Sequence, residues 1–288
     1  MELSEELNAD FKESDIEKAV SEIKFKSEEL SHRTWYELAL SCIDLTTLNS
    51  TDTFEQGEKL ATKVSLFSEN YPDLPNVAAI CVYPSLIESV RKSLVIPGVK
   101  LASVSGGFPS SQTFLDVKVL ETMMAVANGA DEIDIVLNLG SFFSQDYKSV
   151  LMEISTLKGA CDQAHLKVIL ETGALKSYSN IWKGSMLAMQ GGADFIKTST
   201  GKLDPAATPE AAWVMCRAIK AHFEKTNIKI GFKAAGGIAE TADALVYIAI
   251  VKEVLGDEWL TSSLFRIGAS RLANNLLSAL TGDREIYF

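Results

Sequence analysis

The chain has 288 residues, of which 47% are apolar, and its net charge at pH 7 is −11. This length and apolar fraction suit one large domain with a sizeable core. The negative charge argues against a nucleic-acid partner, because a phosphate backbone is bound by a basic surface. Neither a basic, apolar leader nor an apolar run long enough to span a membrane is visible. We therefore expect a cytoplasmic protein that binds neither nucleic acid nor membranes.

The four cysteines and three histidines are scattered singly along the chain, without a C-x-x-C, H-x-H or H-E-x-x-H pattern. Isolated cysteines are typical of reduced intracellular proteins. A zinc site needs several such ligands that fold together. The sequence therefore predicts no metal and no other cofactor.

The chain begins with an acidic segment. Residues 1–30 carry ten Asp or Glu side chains against four Lys. We expect residues 1–34 to form an extension of one or two helices, packed against a catalytic domain that comprises residues 35–288.

Eight short β-rich runs then alternate with helical patterns up to the end of the chain. One helix start is clear at Thr208-Pro209-Glu210, which supplies an N-cap, a proline at the first helical position and an acid in the first turn. Gly256 is a helix stop. The predicted strands are residues 42–48, 77–83, 100–106, 132–138, 166–172, 194–200, 229–235 and 264–270.

Eight strand–helix units without a break in composition predict a single (β/α)₈ barrel. The main alternative is a doubly wound open sheet. Its usual G-x-G-x-x-G turn is absent after the first predicted strand.

Four predicted strands place a charged residue on the face that points into the barrel. In residues 132–138 the large aliphatic side chains share one face, so Asp134 points inward. The same alternation turns Asp44, Lys197 and Lys233 inward, whereas the direction of Lys167 stays open. A buried, unpaired charge is costly, so we expect the four inward side chains to contact one another.

Lys197 and Lys233 lie on neighbouring predicted strands. Like charges a few ångströms apart disfavour double protonation, so the pKa of one lysine is expected to fall from about 10.4 towards neutrality. A neutral lysine forms a Schiff base with a carbonyl substrate. Asp134 is placed to hold and relay the proton of the second lysine. A purely structural ion-pair network is also compatible with these residues.

Glycine-rich segments lie at the ends of the last three predicted strands: S-T-G-K at 199–202 and A-A-G-G at 234–237 follow the sixth and seventh, and I-G-A-S at 267–270 ends the eighth. Barrels often bind phosphate with such late loops and a helix N-terminus, because glycine lets backbone N–H groups approach an anion. Three successive turns favour a phosphate site over ordinary tight turns. The residues expected to contact the phosphate are Gly201, Lys202, Gly236, Gly237, Gly268 and Ser270.

Six segments resemble the signature segments of the 2-deoxyribose-5-phosphate aldolases, a family of class I, Schiff-base aldolases with a (β/α)₈ barrel. They are CIDLTTL, ADEIDIVLN, LKVILETG, DFIKTSTGK, GFKAAGG and FRIGAS, in the family's order between residues 40 and 280. The resemblance implies that Lys197 forms the imine, that Lys233 perturbs it and that Asp134 relays protons.

The resemblance further implies a phosphate site at the glycine-rich loops, and contacts from Asp44 and Thr200 to the substrate hydroxyls. The implied reaction is reversible aldol cleavage of 2-deoxy-D-ribose 5-phosphate to D-glyceraldehyde 3-phosphate and acetaldehyde. It needs no cofactor, belongs to deoxyribonucleotide catabolism, and is carried out by a homodimer or homotetramer.

The sequence departs from the family pattern in three places. Ala234 stands where proline is common, and Arg271 follows Ser270 where a second serine is frequent. The loop GGFPSSQ at 106–112 differs from the familiar asparagine- and glycine-containing version. Some members use a C-terminal tyrosine for proton transfer, which makes Tyr287 a further candidate.

Three other functions remain compatible with the sequence. The first is a Schiff-base aldolase that acts on another phosphorylated sugar through Lys197. The second is a phosphate-binding isomerase that uses Lys233 and Asp134 for acid–base work without a covalent step. The third is a non-catalytic barrel that binds a sugar phosphate.

Overall fold

The protein is described by a computed structural model that covers residues 7–288. It is a closed barrel of eight parallel strands that neighbour one another in chain order, with β8 pairing to β1. This confirms the predicted (β/α)₈ barrel, and each predicted run overlaps one strand. The strands are β1 Ile43–Thr46, β2 Ala79–Val82, β3 Lys100–Val104, β4 Glu132–Val136, β5 His165–Ile169, β6 Phe195–Lys197, β7 Gly231–Ala235 and β8 Phe265–Ala269.

Helices surround the barrel and connect the strands. Short 3₁₀ turns at Glu28–Leu30, Pro84–Leu86 and Asp257–Trp259 supplement them. None of the helices in this part of the chain has the length and apolar character needed to cross a membrane. The helices are α1 Glu13–Ser27, α2 Arg33–Ser41, α3 Phe54–Ser65, α4 Phe67–Asn70, α5 Ile87–Ser93, α6 Leu115–Ala127, α7 Leu139–Phe143, α8 Tyr147–Ala160, α9 Thr172–Leu175, α10 Tyr178–Gln190, α11 Pro209–Thr226, α12 Thr241–Leu255 and α13 Arg271–Thr281.

Local signals in the sequence determine several helix ends. Thr208 caps α11 by accepting a hydrogen bond from the Ala211 N–H at 3.2 Å. Gly256 follows the last residue of α12 with φ of +95°, a conformation that glycine adopts without strain. Both ends were predicted from the residue types alone.

The N-terminal extension packs on the outside of the barrel. One face of α1, with Ile16, Val20 and Ile23, is buried, and the helix contacts α11 and α12. Residues 1–6 of the predicted extension lie outside the described residues. The predicted boundary between residues 34 and 35 falls inside α2, which itself packs against α12 and α13.

The barrel interior has an apolar side and a charged side. Leu48, Cys81, Ala102 and Val104 form a separate buried cluster that involves β2, β3 and the loop after β1. Charged side chains from β1 and from β4 to β8 occupy the other side, together with the ring of Phe195. The interior is therefore a packed core in which one side is ionic.

Candidate active site

Seven charged side chains from six strands meet inside the barrel, and every one is buried. Among the residues from Leu7 onward, this ionic cluster contains four cations and three carboxylates, so full ionisation leaves one positive charge uncompensated. Because such a charge is costly to bury, one cation is expected to lose its proton. The ionic cluster consists of Asp44, Glu132, Asp134, Lys167, Lys197, Lys233 and Arg266.

The three predicted catalytic residues contact one another in the ionic cluster. The register between β6 and β7 places Lys197 beside Lys233. Asp134 Oδ2 accepts hydrogen bonds from Lys197 Nζ at 2.9 Å and from Lys233 Nζ at 2.8 Å. One carboxylate oxygen thus links both lysines, as a proton relay requires. The chemical roles of the three residues stay predictions.

Lys197 is the lysine of this pair whose pKa lies below its usual value. Burial is the largest cause, Asp134 opposes it, and the cation of Lys233 lowers the pKa further. Burial also lowers the pKa of Lys233, but Asp134 and Asp44 outweigh this and raise it above the usual value. Burial therefore lowers the pKa of Lys197 more than the neighbouring cation does, although the cation is the cause that the sequence indicates.

Two further cations of the ionic cluster, Arg266 and Lys167, donate hydrogen bonds to its carboxylates. Arg266 donates to Asp44 Oδ1 at 2.5 Å and to Glu132 Oε1 at 2.8 Å. Lys167 donates to Glu132 and, at 3.2 Å, to Asp134 Oδ1. The sequence analysis missed Glu132 and Arg266 and left Lys167 open. The alternation in E-I-D, F-R-I and L-K-V was the signal that places all three inside the barrel.

A cavity of about 840 Å³ opens beside the carboxyl ends of β1, β6, β7 and β8. Lys197 is the member of the ionic cluster that lines it. All the residues predicted to bind phosphate line the same cavity, so the structure brings the expected nucleophile and the expected anion site into one space. These residues, together with Thr200, are Gly201, Lys202, Gly236, Gly237, Gly268 and Ser270.

Asp44 is not on the surface of this cavity. It is fully buried, and its Oδ2 lies 2.5 Å from Lys233 Nζ. Lys233 and Arg266 hold its pKa below the usual value, although burial opposes them. In the structure Asp44 therefore contacts cations, and its contact with a substrate hydroxyl stays a prediction.

Part of the lining of this cavity is suited to an anion. Gly201, Gly236 and Gly237 have φ of +74°, +90° and +79°, so their backbones adopt turns that other residues rarely form. Helix α13 begins directly after Ser270 and has no acidic residue in its first turn. The N-terminus of a helix attracts anions through its dipole and its unpaired N–H groups.

Two exposed cations, Lys202 and Arg271, also line this cavity. Arg271, one of the departures from the family pattern, thus adds charge at the predicted phosphate site. Ala234, another departure, is instead buried in the apolar core.

Glu171 holds Thr200 in place and was missed by the sequence analysis. Its carboxylate is buried and accepts hydrogen bonds from Thr200 N at 3.1 Å and from Thr200 Oγ1 at 2.5 Å. The backbone N–H of Lys202 donates to the same hydroxyl at 3.0 Å. Because its proton is committed to Glu171, the Thr200 hydroxyl can accept a hydrogen bond from a substrate but cannot donate one.

Tyr287 lies away from the cavity. Its hydroxyl donates to the carbonyl of Lys63 at 2.7 Å, and its ring contacts Phe67 and Tyr71. Phe288 lines the cavity instead. For Tyr287 to reach Lys197, the tail would have to leave these contacts.

Comparisons with known proteins agree with this geometry. Residues 38–257 match a family described as DeoC/LacD family aldolase. A relative from Caenorhabditis elegans is 44% identical over 277 residues, which cover 96% of this chain and 91% of that protein. Human deoxyribose-phosphate aldolase is 43% identical over 263 residues, with 88% and 81% covered.

A solved structure is also similar. It is the deoxyribose phosphate aldolase of Aeropyrum pernix, described as tetrameric, with a TM-score of 0.68 and 26% identity over 89% of this chain and 96% of that one. The sequence relatives and the barrel, whose cavity is lined by lysines, both indicate an aldolase of this family. The chain therefore belongs to the DeoC/LacD family of aldolases.

Proposed function

We propose that this enzyme catalyses the reversible aldol cleavage of 2-deoxy-D-ribose 5-phosphate to D-glyceraldehyde 3-phosphate and acetaldehyde through a Schiff base on Lys197. The observation that carries the proposal is the position of Lys197. Its amine belongs to a buried ionic cluster with one excess positive charge, and it borders a cavity whose lining also includes groups that suit an anion. A neutral amine at this place is a competent nucleophile for a phosphorylated aldehyde.

Cleavage begins when the neutral amine of Lys197 attacks C1 of the open-chain sugar. Loss of water from the carbinolamine gives an iminium, and Asp134 and Lys233 transfer the protons that this step requires. The C2–C3 bond then breaks as the 3-hydroxyl loses its proton. Its electron pair becomes the enamine double bond between C1 and C2, and C3 leaves as the aldehyde of glyceraldehyde 3-phosphate. Protonation of C2 and hydrolysis release acetaldehyde and the free lysine.

The phosphate group anchors the substrate away from the reacting carbons. The N-terminus of α13, the side chains of Lys202 and Arg271, and the glycine turns surround the space that it would occupy. Binding energy from this remote group orients C1 towards Lys197, so it contributes to catalysis as well as to affinity.

We also place this reaction in cytoplasmic deoxyribonucleotide catabolism, carried out by a homo-oligomer. The family resemblance supports both statements. The four cysteines, all buried and free, are compatible with a reducing compartment.

Borohydride trapping tests the covalent step. Reduction in the presence of acetaldehyde should leave one ethyl group on Lys197. Trypsin does not cut at the alkylated residue, so a peptide of residues 184–202 with that added mass is expected by mass spectrometry. The Lys202→Met variant should be labelled equally, because Lys202 is assigned to the phosphate. Labelling at Lys202 or Lys233 instead, or no labelling, contradicts the proposal.

Substrate comparison separates the remaining alternatives. An isomerase or a non-catalytic binding protein forms no trapped adduct. A Schiff-base aldolase for another sugar phosphate forms an adduct but releases little acetaldehyde from 2-deoxy-D-ribose 5-phosphate. We expect this compound to have the highest kcat/KM in a panel of five- and six-carbon sugar phosphates.

The Gly236→Ala substitution should impair phosphate binding. A Cβ at this position would lie 2.6 Å from the Cβ of Ala206 and 3.1 Å from the Cα of Gly201, and φ is +90°. We expect KM for the phosphorylated substrate to rise at least about tenfold, while kcat/KM for unphosphorylated 2-deoxyribose changes little.

The Gly237→Ala variant is the matched control for this experiment. Gly237 has φ of +79°, but a Cβ there meets no atom within 4 Å. Gly237→Ala should raise KM for the phosphorylated substrate less than Gly236→Ala does. Equal losses with the phosphorylated and the unphosphorylated substrate would contradict a phosphate site at Gly236.

A further inference from the structure

The cleavage step of the proposed reaction needs a group that accepts the proton of the substrate's 3-hydroxyl. Thr200 lines the described cavity and lies in the chain between Lys197, which is assigned to C1, and Gly201, which belongs to the anion-binding turns. A substrate that is bound at both of these places passes Thr200 with its middle carbons. The hydroxyl of Thr200 is therefore the protein group to compare with the 3-hydroxyl.

The hydrogen bonds of the Thr200 hydroxyl leave one position open. Thr200 Oγ1 donates to Glu171 Oε2 at 2.5 Å and accepts from the Lys202 N–H at 3.0 Å. A hydroxyl has one proton and two lone pairs, so one lone pair remains. A substrate hydroxyl that donates to this lone pair is connected through Thr200 to a carboxylate.

The backbone of Glu171 is held in a conformation that aims its carboxylate at Thr200. Glu171 has φ of +55° and ψ of +62°, the left-handed region that residues other than glycine rarely adopt. Its carbonyl accepts hydrogen bonds from the Ala174 and Leu175 N–H groups at 2.9 and 3.3 Å. Its Oε1 accepts from the Thr200 N–H at 3.1 Å. Backbone strain of this kind is concentrated at functional sites, so the position of this carboxylate indicates a role beyond packing.

A second carboxylate, Asp52, lines the cavity itself. It belongs to the loop between β1 and α3, is partly exposed, and accepts hydrogen bonds from Thr47 Oγ1 at 2.7 Å and from the Asn49 N–H at 2.9 Å. These bonds shape its own loop. Thr200 and Glu171, in contrast, are held directly beside the loop that follows Lys197, which favours them as the acceptor.

We propose that Thr200 and Glu171 together accept the proton of the 3-hydroxyl in the cleavage step. The inference rests on the proposed function. As the C2–C3 bond breaks, the 3-hydroxyl passes its proton to Thr200 Oγ1, and Thr200 passes its own proton to Glu171 Oε2. The electron pair of the broken O–H bond becomes the second bond of the new C3 carbonyl, while the C2–C3 pair forms the enamine. Thr200 is the catalytic residue that touches the substrate, and Glu171 acts through it.

The protons balance over the whole cycle. After the triose phosphate leaves, Glu171 returns the proton through Thr200 to water in the cavity. C2 takes up one proton when the enamine is converted back to the iminium, so the protein neither gains nor loses a proton. In the synthetic direction the same pair of residues protonates the aldehyde oxygen while the C–C bond forms.

Two measurements on Glu171→Gln separate this role from a structural one. Enzyme-catalysed exchange of the acetaldehyde methyl hydrogens in D₂O, followed by NMR, requires the Schiff base on Lys197 but moves no proton from a 3-hydroxyl. A glutamine can still accept from the Thr200 N–H but cannot take up a proton. We expect kcat for cleavage to fall about 10²- to 10³-fold, while the exchange rate stays within about threefold of the parent.

Variants of Thr200 and Asp52 complete the experiment. Thr200→Val removes the hydroxyl, keeps the shape of the side chain and should show the same loss of cleavage with retained exchange. Thr200→Ser keeps the hydroxyl and should retain kcat within about tenfold of the parent. Asp52→Asn removes the competing carboxylate and should lower neither rate more than about threefold. Circular dichroism establishes that each variant is folded.

The outcomes distinguish this inference from the proposed function on which it rests. A parent enzyme that neither exchanges acetaldehyde nor is trapped by borohydride would contradict the Schiff base itself. With a parent that does both, equal losses of cleavage and exchange in Glu171→Gln would show a structural role and overturn the inference. Unchanged cleavage in this variant, or a larger loss in Asp52→Asn, would overturn it as well. If Glu171→Gln does not fold, the same comparison in Thr200→Val decides.

Discussion

Lys197→Met will lower kcat for 2-deoxy-D-ribose 5-phosphate at least about 10⁴-fold, because no other amine of the ionic cluster borders the described cavity. Methionine keeps most of the side-chain volume, so little packing is lost. Steady-state kinetics and borohydride trapping measure the effect. Lys202→Met should raise KM and retain trapping. Retention of more than a hundredth of the parent kcat by Lys197→Met would contradict a Schiff base at this residue.

The same substitution should not destabilise the fold at pH 7. The pKa of Lys197 is lower in the folded protein than in the unfolded chain, so between that lowered pKa and about 10.4 the unfolded chain binds more protons. The contribution of Lys197 to the free energy of unfolding is therefore unfavourable below the folded pKa and disappears as the pH rises towards 10.4. Urea unfolding should show that Lys197→Met is at least as stable as the parent at pH 7 and lacks this alkaline increase.

The activity of the parent should follow the same titration. The neutral amine is the reactive form, so kcat/KM should rise as the pH increases through the lowered pKa of Lys197. A rise that occurs only near 10.4, the pKa of a solvated lysine, would show that the ionic cluster does not activate the residue.

Asp134→Asn will reduce both activity and stability. The variant retains the hydrogen-bonding shape but removes the carboxylate that Lys197, Lys233 and Lys167 share. We expect kcat to fall about 10²- to 10⁴-fold, the usual contribution of a proton-transfer group. We expect the free energy of unfolding to fall by about 3–5 kcal/mol, as when one partner of a buried ion pair is removed.

The pH dependence separates this effect from general damage to the barrel. The pKa of Asp134 lies well below its usual value, because the three lysines outweigh the opposing effect of burial. Its stabilising contribution is therefore complete above about pH 4 and is lost as the pH falls through the lowered pKa. Asp134→Asn should lack this contribution, so its stability should change less with acidification than that of the parent.

Asp131→Asn is the matched control for this carboxylate. Asp131 directly precedes β4, is partly exposed, and bonds Arg91 at 2.5 Å and the Leu101 N–H at 2.8 Å. Asp131 lies outside the ionic cluster, so the kcat of Asp131→Asn should stay within about twofold of the parent value. A similar loss of kcat in Asp131→Asn and Asp134→Asn would contradict a proton relay through Asp134.

The sequence by itself determined the features that depend on local periodicity and residue type. Alternation with a period of two placed Asp134, Lys197 and Lys233 inside the barrel, because successive strand residues point to opposite faces. Thr208 and Gly256 marked helix ends because their preferences act over a single turn. The glycine-rich segments at the ends of the last three strands could be recognised for the same reason.

Only the tertiary structure decided which of these groups meet one another and at what depth. The height of Asp44 relative to Lys233 and Arg266 depends on how the strands are staggered around the barrel, and this is a non-local property. Burial, the main cause of the lowered pKa of Lys197, likewise requires the closed barrel. Strand alternation thus gives the direction of a side chain, whereas its partners depend on register across many residues of intervening chain.

The orientation of α6 likewise could not be predicted from the sequence alone. The helix carries apolar residues on both faces, so its periodicity does not indicate which face turns inward. The bonds from Lys118 to Ser111 and Glu153 settle the orientation by holding the polar side inside. Because Lys118 bonds to partners inside the fold, the opposite face of α6, with Leu120 and Met124, is exposed. These partners come from other parts of the chain, so the orientation of the helix depends on the tertiary structure.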